Sequence, residues 1–248
     1  MESLLYSFLA GTSTVLGAII LILLGTPGKK TMSFLLSFAG GIMLALTMFE
    51  LMPEALELGS LSMVIIGFIL GCLMLYSIDL VLPHAHLSKS NELTIENPEN
   101  FPDTDRAVIR TGYLVFFGIA LHNLPEGLAI GAGLEASPQL GLYLAIAIGL
   151  HNIPEGLAVA GPLKAGGISN VKVIFFTLCA GLMTVVGTAI GLLLVNISEM
   201  MVSGMLAFAA GAMIYIVIDE LIPQAIRLHN HIANLGLFTG ILIGFSIF

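Results

Sequence analysis

The sequence predicts an all-α integral membrane protein of eight transmembrane helices, and three observations carry that reading. Of 248 residues, 57% are hydrophobic and only 10% charged, too little polar surface to coat a soluble globule. The apolar stretches are about twenty residues long and punctuated by Gly and Pro, the length of a spanning helix, whereas barrel strands would be about ten residues and would alternate. Basic residues fall only in every second connection, a regularity that an error of one span would scramble.

The first apolar run, about 3–24, reads as a retained span and not a cleaved signal peptide, because it belongs to an internal repeat. Further spans are expected at about 31–55, 61–82, 111–133, 139–161, 168–195, 201–225 and 231–247, forming one transmembrane domain over 1–248. Lys29 and Lys30 follow the first span, Lys89, Arg106 and Arg110 the third, Lys164 and Lys172 the fifth, and Arg227 the seventh. The other connections carry Glu57, Glu135 and Glu199 and no Lys or Arg. By the positive-inside rule the basic connections are cytoplasmic and both termini extracytoplasmic, as for a multi-pass protein of the plasma membrane.

The long connection, about 83–110, carries Pro83, His84, His86, Glu92, Glu96, Pro98, Glu99, Pro102, Asp103 and Asp105 and is expected to be flexible. Its two histidines and acids read either as a weak cytoplasmic metal-collecting patch or as a solvated linker, and the linker is favoured. Cys72 and Cys179 sit singly in separate spans, as buried small hydrophobes would, and form neither a disulfide framework nor a metal pair.

A repeat runs through the chain at a constant offset of 170 positions. Ala10-Gly11, Thr14-Val15 and Gly17 return as Ala180-Gly181, Thr184-Val185 and Gly187. Phe38-Ala39, Gly41, Met43, Glu50-Leu51, Pro53 and Ala55 return as Phe208-Ala209, Gly211, Met213, Glu220-Leu221, Pro223 and Ala225. The offset carries span one onto span six, an odd number of crossings, so the halves are expected to be inverted: spans 1–3 and 6–8 around a central antiparallel pair, spans 4 and 5.

That central pair carries one hexapeptide twice, His122-Asn123-Leu124-Pro125-Glu126-Gly127 and His151-Asn152-Ile153-Pro154-Glu155-Gly156, twenty-nine positions apart. In each copy His and Glu stand four residues apart, so they share one helix face with Asn beside them. The proline cannot donate to the carbonyl of Leu121 or Leu150, which is expected to bend and partly unwind the helix where the polar groups sit. An ionisable side chain at the bilayer centre costs about 2.5–3.5 kcal/mol, so several together need a compensating role. Clustered carboxylates require protonation or a cation among them, and imidazoles with a free lone pair make good metal ligands. Mixed nitrogen and oxygen donors suit zinc or divalent iron, manganese, cobalt or cadmium better than calcium or magnesium, and the lack of cysteine argues against a tight trap.

Glu50 and Glu220, each three residues before a proline, read as stations on an ion path, the competing reading being snorkelling at a helix end. Met43 and Met213 lie two helical turns before them and are expected to share their face; a soft-ligand role is weighed against packing and is stronger for Met43. Glu54, Asp79 and Asp219 read as boundary residues.

At these residues the chain resembles the ZIP (Zrt/Irt-like) divalent-metal transporters, and its compact length is most similar to the bacterial ZupT-like branch. The resemblance implies uptake of divalent metal into the cytoplasm through a site able to hold two ions. His122, Asn123, Glu126, His151, Asn152 and Glu155 would be its ligands, with Met43 contacting metal and Glu50 and Glu220 further along the route. It also implies that spans one, four, five and six move against the others. Two departures stand out: the sixth span offers Thr184 where some members carry a glutamate ligand, and Asn152 stands where others have aspartate. Zinc or another divalent transition metal is then a transported substrate and not a cofactor.

Competing readings are an intramembrane metal-dependent hydrolase and a metal-sensing channel. The first lacks an HExxH pattern and a base outside the ligand shell, and the inverted repeat leans away from the second toward alternating access. No GxxxxGK loop followed by Ser or Thr is present, which argues against direct use of ATP. The expected partners are divalent metal ions and the lipid bilayer, with no nucleic acid; a homodimer is compatible with the sequence.

Overall fold

The fold is taken from a computed structural model and describes residues 2–81, 85–87, 93–95, 104–195 and 198–247. Nine α-helices make up nearly all of the described residues: α1 (Glu2–Leu24), α2 (Lys29–Leu46), α3 (Met52–Leu58), α4 (Leu61–Val81), α5 (Thr104–Ala136), α6 (Pro138–Ala165), α7 (Asn170–Val195), α8 (Glu199–Ile216) and α9 (Ile222–Ile247). Among the described residues, seven continuous helical stretches are long and apolar enough to cross a membrane. The last of them runs for 49 residues, Glu199–Ile247, and within it the backbone of His229 becomes extended (φ −166°, ψ 101°). Large apolar side chains such as Leu23, Leu80, Phe238 and Leu242 lie more than 60% exposed, as only a protein bathed in hydrocarbon tolerates, and the chain is a multi-pass membrane protein.

Two short π-helical turns sit at equivalent places in the repeat, Thr47–Leu51 between α2 and α3 and Val217–Leu221 between α8 and α9. In each the closing N–H reaches five residues back, Met52 to Thr47 and Ile222 to Val217. Pro53 and Pro223 follow immediately; neither has an N–H to give, and the wider turn before them relieves the ring's clash with the preceding turn. The wider turn also offsets the helix face. Met43 is fully buried while Glu50 is half-buried, so the two do not share a face as an unbroken α-helix would have had them do.

The connection expected to lack structure is partly ordered. Strands β1 (Ala85–Leu87) and β2 (Leu93–Ile95) pair antiparallel with Ala85 opposite Ile95, and α5 begins at Thr104, seven residues before the expected span. Pro83, His84, Glu92, Glu96, Pro98, Glu99, Pro102 and Asp103 lie outside the described residues, as does the side chain of His86, whose backbone faces Thr94 in the strand pair.

Helix packing follows the glycines. α1 packs on α6, α5 on α7, α2 on α9, α4 on α8, and α1 crosses α7. A side chain on Gly11 would collide with the carbonyl of Gly181, and one on Gly181 with the carbonyl of Gly11. Gly17 and Gly156 bring α1 and α6 together, and Gly127 and Gly187 do the same for α5 and α7. Between lipid-bathed helices there is little hydrophobic drive to associate, so close backbone approach through small residues supplies the contact.

Candidate metal centre

α5 and α6 pack against each other and present the two hexapeptides to one another. Both remain helical through Pro125 and Pro154, so the partial unwinding expected there is not found. Each proline removes one hydrogen bond, and the flanking α7 and α1 clamp the helices on either side of the gap.

The histidines and glutamates cross-pair between helices. His151 Nε2 shares a hydrogen bond with Glu126 Oε1 at 2.8 Å, and His122 Nε2 lies 3.2 Å from Glu155 Oε1 without hydrogen-bond alignment. Within each helix the His to Glu separation is 4.0 Å. His122, Glu126 and Glu155 each offer one ligand atom within 4.8 Å of the others, a span one cation can bridge. None of these six residues is more than 3% exposed, so water does not offset their charge.

The asparagines divide their groups. Asn123 Nδ2 donates to the carbonyl of Ala180 (2.8 Å) and Asn152 Nδ2 to that of Ala10 (3.0 Å), positions related by the offset of 170. Each amide therefore ties its helix to the first helix of one repeat and keeps Oδ1 unpaired. Among the described residues, eight buried side-chain polar atoms lack a hydrogen-bond partner. Seven are on His122, Asn123, Glu126, His151, Asn152 and Glu155, and the eighth is Thr184 Oγ1. Native interiors rarely leave such atoms unsatisfied, and here they collect at donors suited to a transition metal. Thr14, the repeat mate of Thr184, bonds instead to its own helix at Gly11 (2.6 Å).

The remaining candidates lie on other elements of the bundle. Met43 is buried on α2, and Glu50 is half-buried on the first π-turn. Glu220, on the second π-turn, lines a small cleft with His122, Gly118, Tyr215 and Asp219, with about 20 Å³ of room, enough for a water molecule. Asp219, read from sequence as a boundary residue, belongs to that cleft. Gln224 Nε2 lies 3.5 Å from Glu220 Oε1, whereas the residue four positions after Glu50 is a second carboxylate, Glu54. The sequence reading assigned no role to Gly127 or Gly156, although the small-residue spacing Gly127-x-x-x-Gly131 and the recurrence of Gly at the motif's end were visible signals.

A family model described as ZIP Zinc transporter matches residues 84–248. The zinc transporter ZupT of Escherichia fergusonii is 36% identical over 248 residues, covering 98% of this chain and 93% of that protein. The ZupT proteins of Salmonella newport and Salmonella typhimurium are equally similar over the same shares. Twin His-Asn-x-Pro-Glu-Gly helices meeting in one buried cluster, and relatives matched over nearly their whole length, place this chain in the ZIP zinc transporter family.

Proposed function

We propose that the protein carries zinc, and related divalent transition metals, across the plasma membrane into the cytoplasm. His122, Glu126, His151 and Glu155 form the central site, with Asn123 and Asn152 offering Oδ1. The observation that carries this reading is the cross-paired, fully buried His/Glu cluster with its unpaired donors. Family membership and the zinc transporters among its relatives support the substrate. Zinc-dependent uptake into proteoliposomes, with iron, manganese, cobalt and cadmium as competitors, tests it; lack of zinc entry above empty vesicles overturns it.

The reading includes eight crossings and an inverted repeat. A straight helix of 49 residues would be about 74 Å long, over twice the hydrocarbon thickness, and the extended backbone at His229 supplies a break where two crossings can join. Matching π-turns, matching asparagine bonds and the reciprocal Gly11 and Gly181 contact support the repeat. Basic residues in alternate connections support cytoplasmic placement of those connections and external termini.

Zinc affinity should fall as pH is lowered. Both histidines must present a lone pair and both carboxylates must be ionised to bind metal, so protons compete at every ligand and binding releases them. The apparent dissociation constant is expected to rise at least about tenfold between pH 7.5 and 5.5, across the ordinary histidine range. Binding titrations in two buffers of different ionisation heat would check both affinity and proton release; a pH-independent constant contradicts the ligand set.

Glu50 and Glu220 serve as outer and inner way stations. Glu220 shares the cleft with His122 near Ile78, toward the end of α4 that leads into the long connection bearing Lys89, Arg106 and Arg110, which supports its inner placement. Glu50→Gln should chiefly raise the half-saturation concentration, because Glu54 alone then meets the incoming ion, whereas Glu220→Gln should chiefly lower the maximal rate. Impermeant labelling of Glu50→Cys and Glu220→Cys from each side checks the assignment: reaction of both from one side rules it out.

A further inference from the structure

Four residues before His122 on α5 stands Gly118, on the same helix face and about 6 Å away along the axis. α5 begins at Thr104, so Gly118 lies on the side of His122 that leads to Arg106 and Arg110. Glycine weakens a helix interior, and in a spanning helix close approach to a neighbour is the usual reason for it. Gly11, Gly127, Gly156 and Gly181 fit that account, since an added Cβ at each would collide with a carbonyl of the facing helix. Gly118 does not: apart from its own stretch of helix, no described atom lies within 4 Å of the place its Cβ would take. Alanine would fit there and favour the helix, so packing does not account for the glycine.

Gly118 is half-buried, and it faces the cleft it lines with His122, Asp219 and Glu220. That cleft, with about 20 Å³ of room for a water molecule, joins a ligand of the central site to two carboxylates. Four residues before His151, the matching position of the other hexapeptide holds Ala147, which is fully buried. A gap thus stands beside one hexapeptide where a packed side chain stands beside the other. We propose that Gly118 holds open the inner exit of the metal path: lacking a side chain, it keeps a lane one water wide between His122 and the carboxylates of Asp219 and Glu220, through which the released ion passes. Gly118 supplies no ligand, so it acts on the rate of passage and not on affinity. The inference rests on the transport reading above.

The full chain tests this, with initial zinc flux into proteoliposomes, zinc affinity in detergent and thermal melts read on the wild type, Gly118→Ala and Gly118→Leu. Maximal flux should fall about threefold with alanine and at least about tenfold with leucine, in order of side-chain size. The zinc dissociation constant should stay within about twofold of wild type in both, because no ligand is lost. Gly118→Ala should melt at or slightly above wild type, since the helix gains from alanine and no described neighbour resists its methyl. Wild-type flux in Gly118→Leu overturns the proposal, as does a zinc affinity that falls in step with the flux, which would make the position part of the binding site. Where Gly118→Leu does not elute as a folded species, Gly118→Ala decides, and wild-type flux there overturns the proposal. Absence of zinc entry with the wild type removes the transport reading itself, whereas a transporting wild type beside a full-rate Gly118→Leu removes this inference alone.

Discussion

Replacing Glu126 or Glu155 with alanine is expected to abolish zinc uptake while leaving a folded protein. Glu126 Oε1 faces His151 at 2.8 Å and Glu155 Oε1 faces His122 at 3.2 Å, so each carboxylate serves one histidine of the opposite helix. Removing either leaves a buried imidazole without its counter-charge and deprives the ion of an anionic ligand. Truncating one partner of a buried charged pair costs about 2–5 kcal/mol, which for metal binding is a loss of roughly thirty- to several-thousand-fold. Both substitutions leave Gly127 and Gly156, the glycines of the helix crossings, unchanged, so the helix contacts that hold the bundle persist. Size-exclusion elution and helical circular dichroism should match wild type, and zinc flux into proteoliposomes should fall to the level of empty vesicles. Near-normal flux in either purified variant would remove the cluster from the transport route.

The cluster was legible because its signal is local and doubled. His and Glu four apart on a helix share a face whatever surrounds them, and two copies on neighbouring apolar helices leave little choice but to meet. Asn123 and Asn152 were legible only as polar neighbours, since their bonds to Ala180 and Ala10 join residues 57 and 142 positions apart. The π-turns were hidden because a seven-residue spacing between Met43 and Glu50 reads as two α-helical turns until the proline's effect on the preceding register is known. Asp219 looked like a helix-end residue for the same reason: the wider turn carries it to the cleft beside His122. Apolar periodicity located the helices well but not their ends, and polar residues at 104–110 looked like loop because a helix that emerges from the membrane needs no apolar face.

Opposite signs of stability change are expected for two Gly to Ala substitutions on the same helix, Gly156 and Gly161. By propensity alone each should stabilise α6 by roughly 1 kcal/mol, because glycine loses the most backbone freedom on forming a helix. At Gly161 the nearest atom to an added methyl is Leu21 Cδ1 at 3.9 Å, ordinary van der Waals contact, so the propensity gain should survive. At Gly156 the methyl would collide with the carbonyl oxygen of Thr14 and reach 3.3 Å from Gly17 Cα, both on α1, where no rotamer change can make room. Forcing extra atoms into a packed contact costs about 1–3 kcal/mol and more where backbone must move, so packing outweighs propensity at this position. Gly156→Ala should therefore lower the apparent melting temperature by roughly ten degrees, and Gly161→Ala should leave it unchanged or slightly raised. The displaced α6 would also carry Glu155, the preceding residue, away from His122, so zinc uptake should fall with stability in the first variant only. Thermal melts of both purified proteins decide the matter: a Gly156→Ala variant as stable as wild type would mean that α1 and α6 are not held by the close approach described above, and that the glycine closing each hexapeptide serves some purpose other than packing.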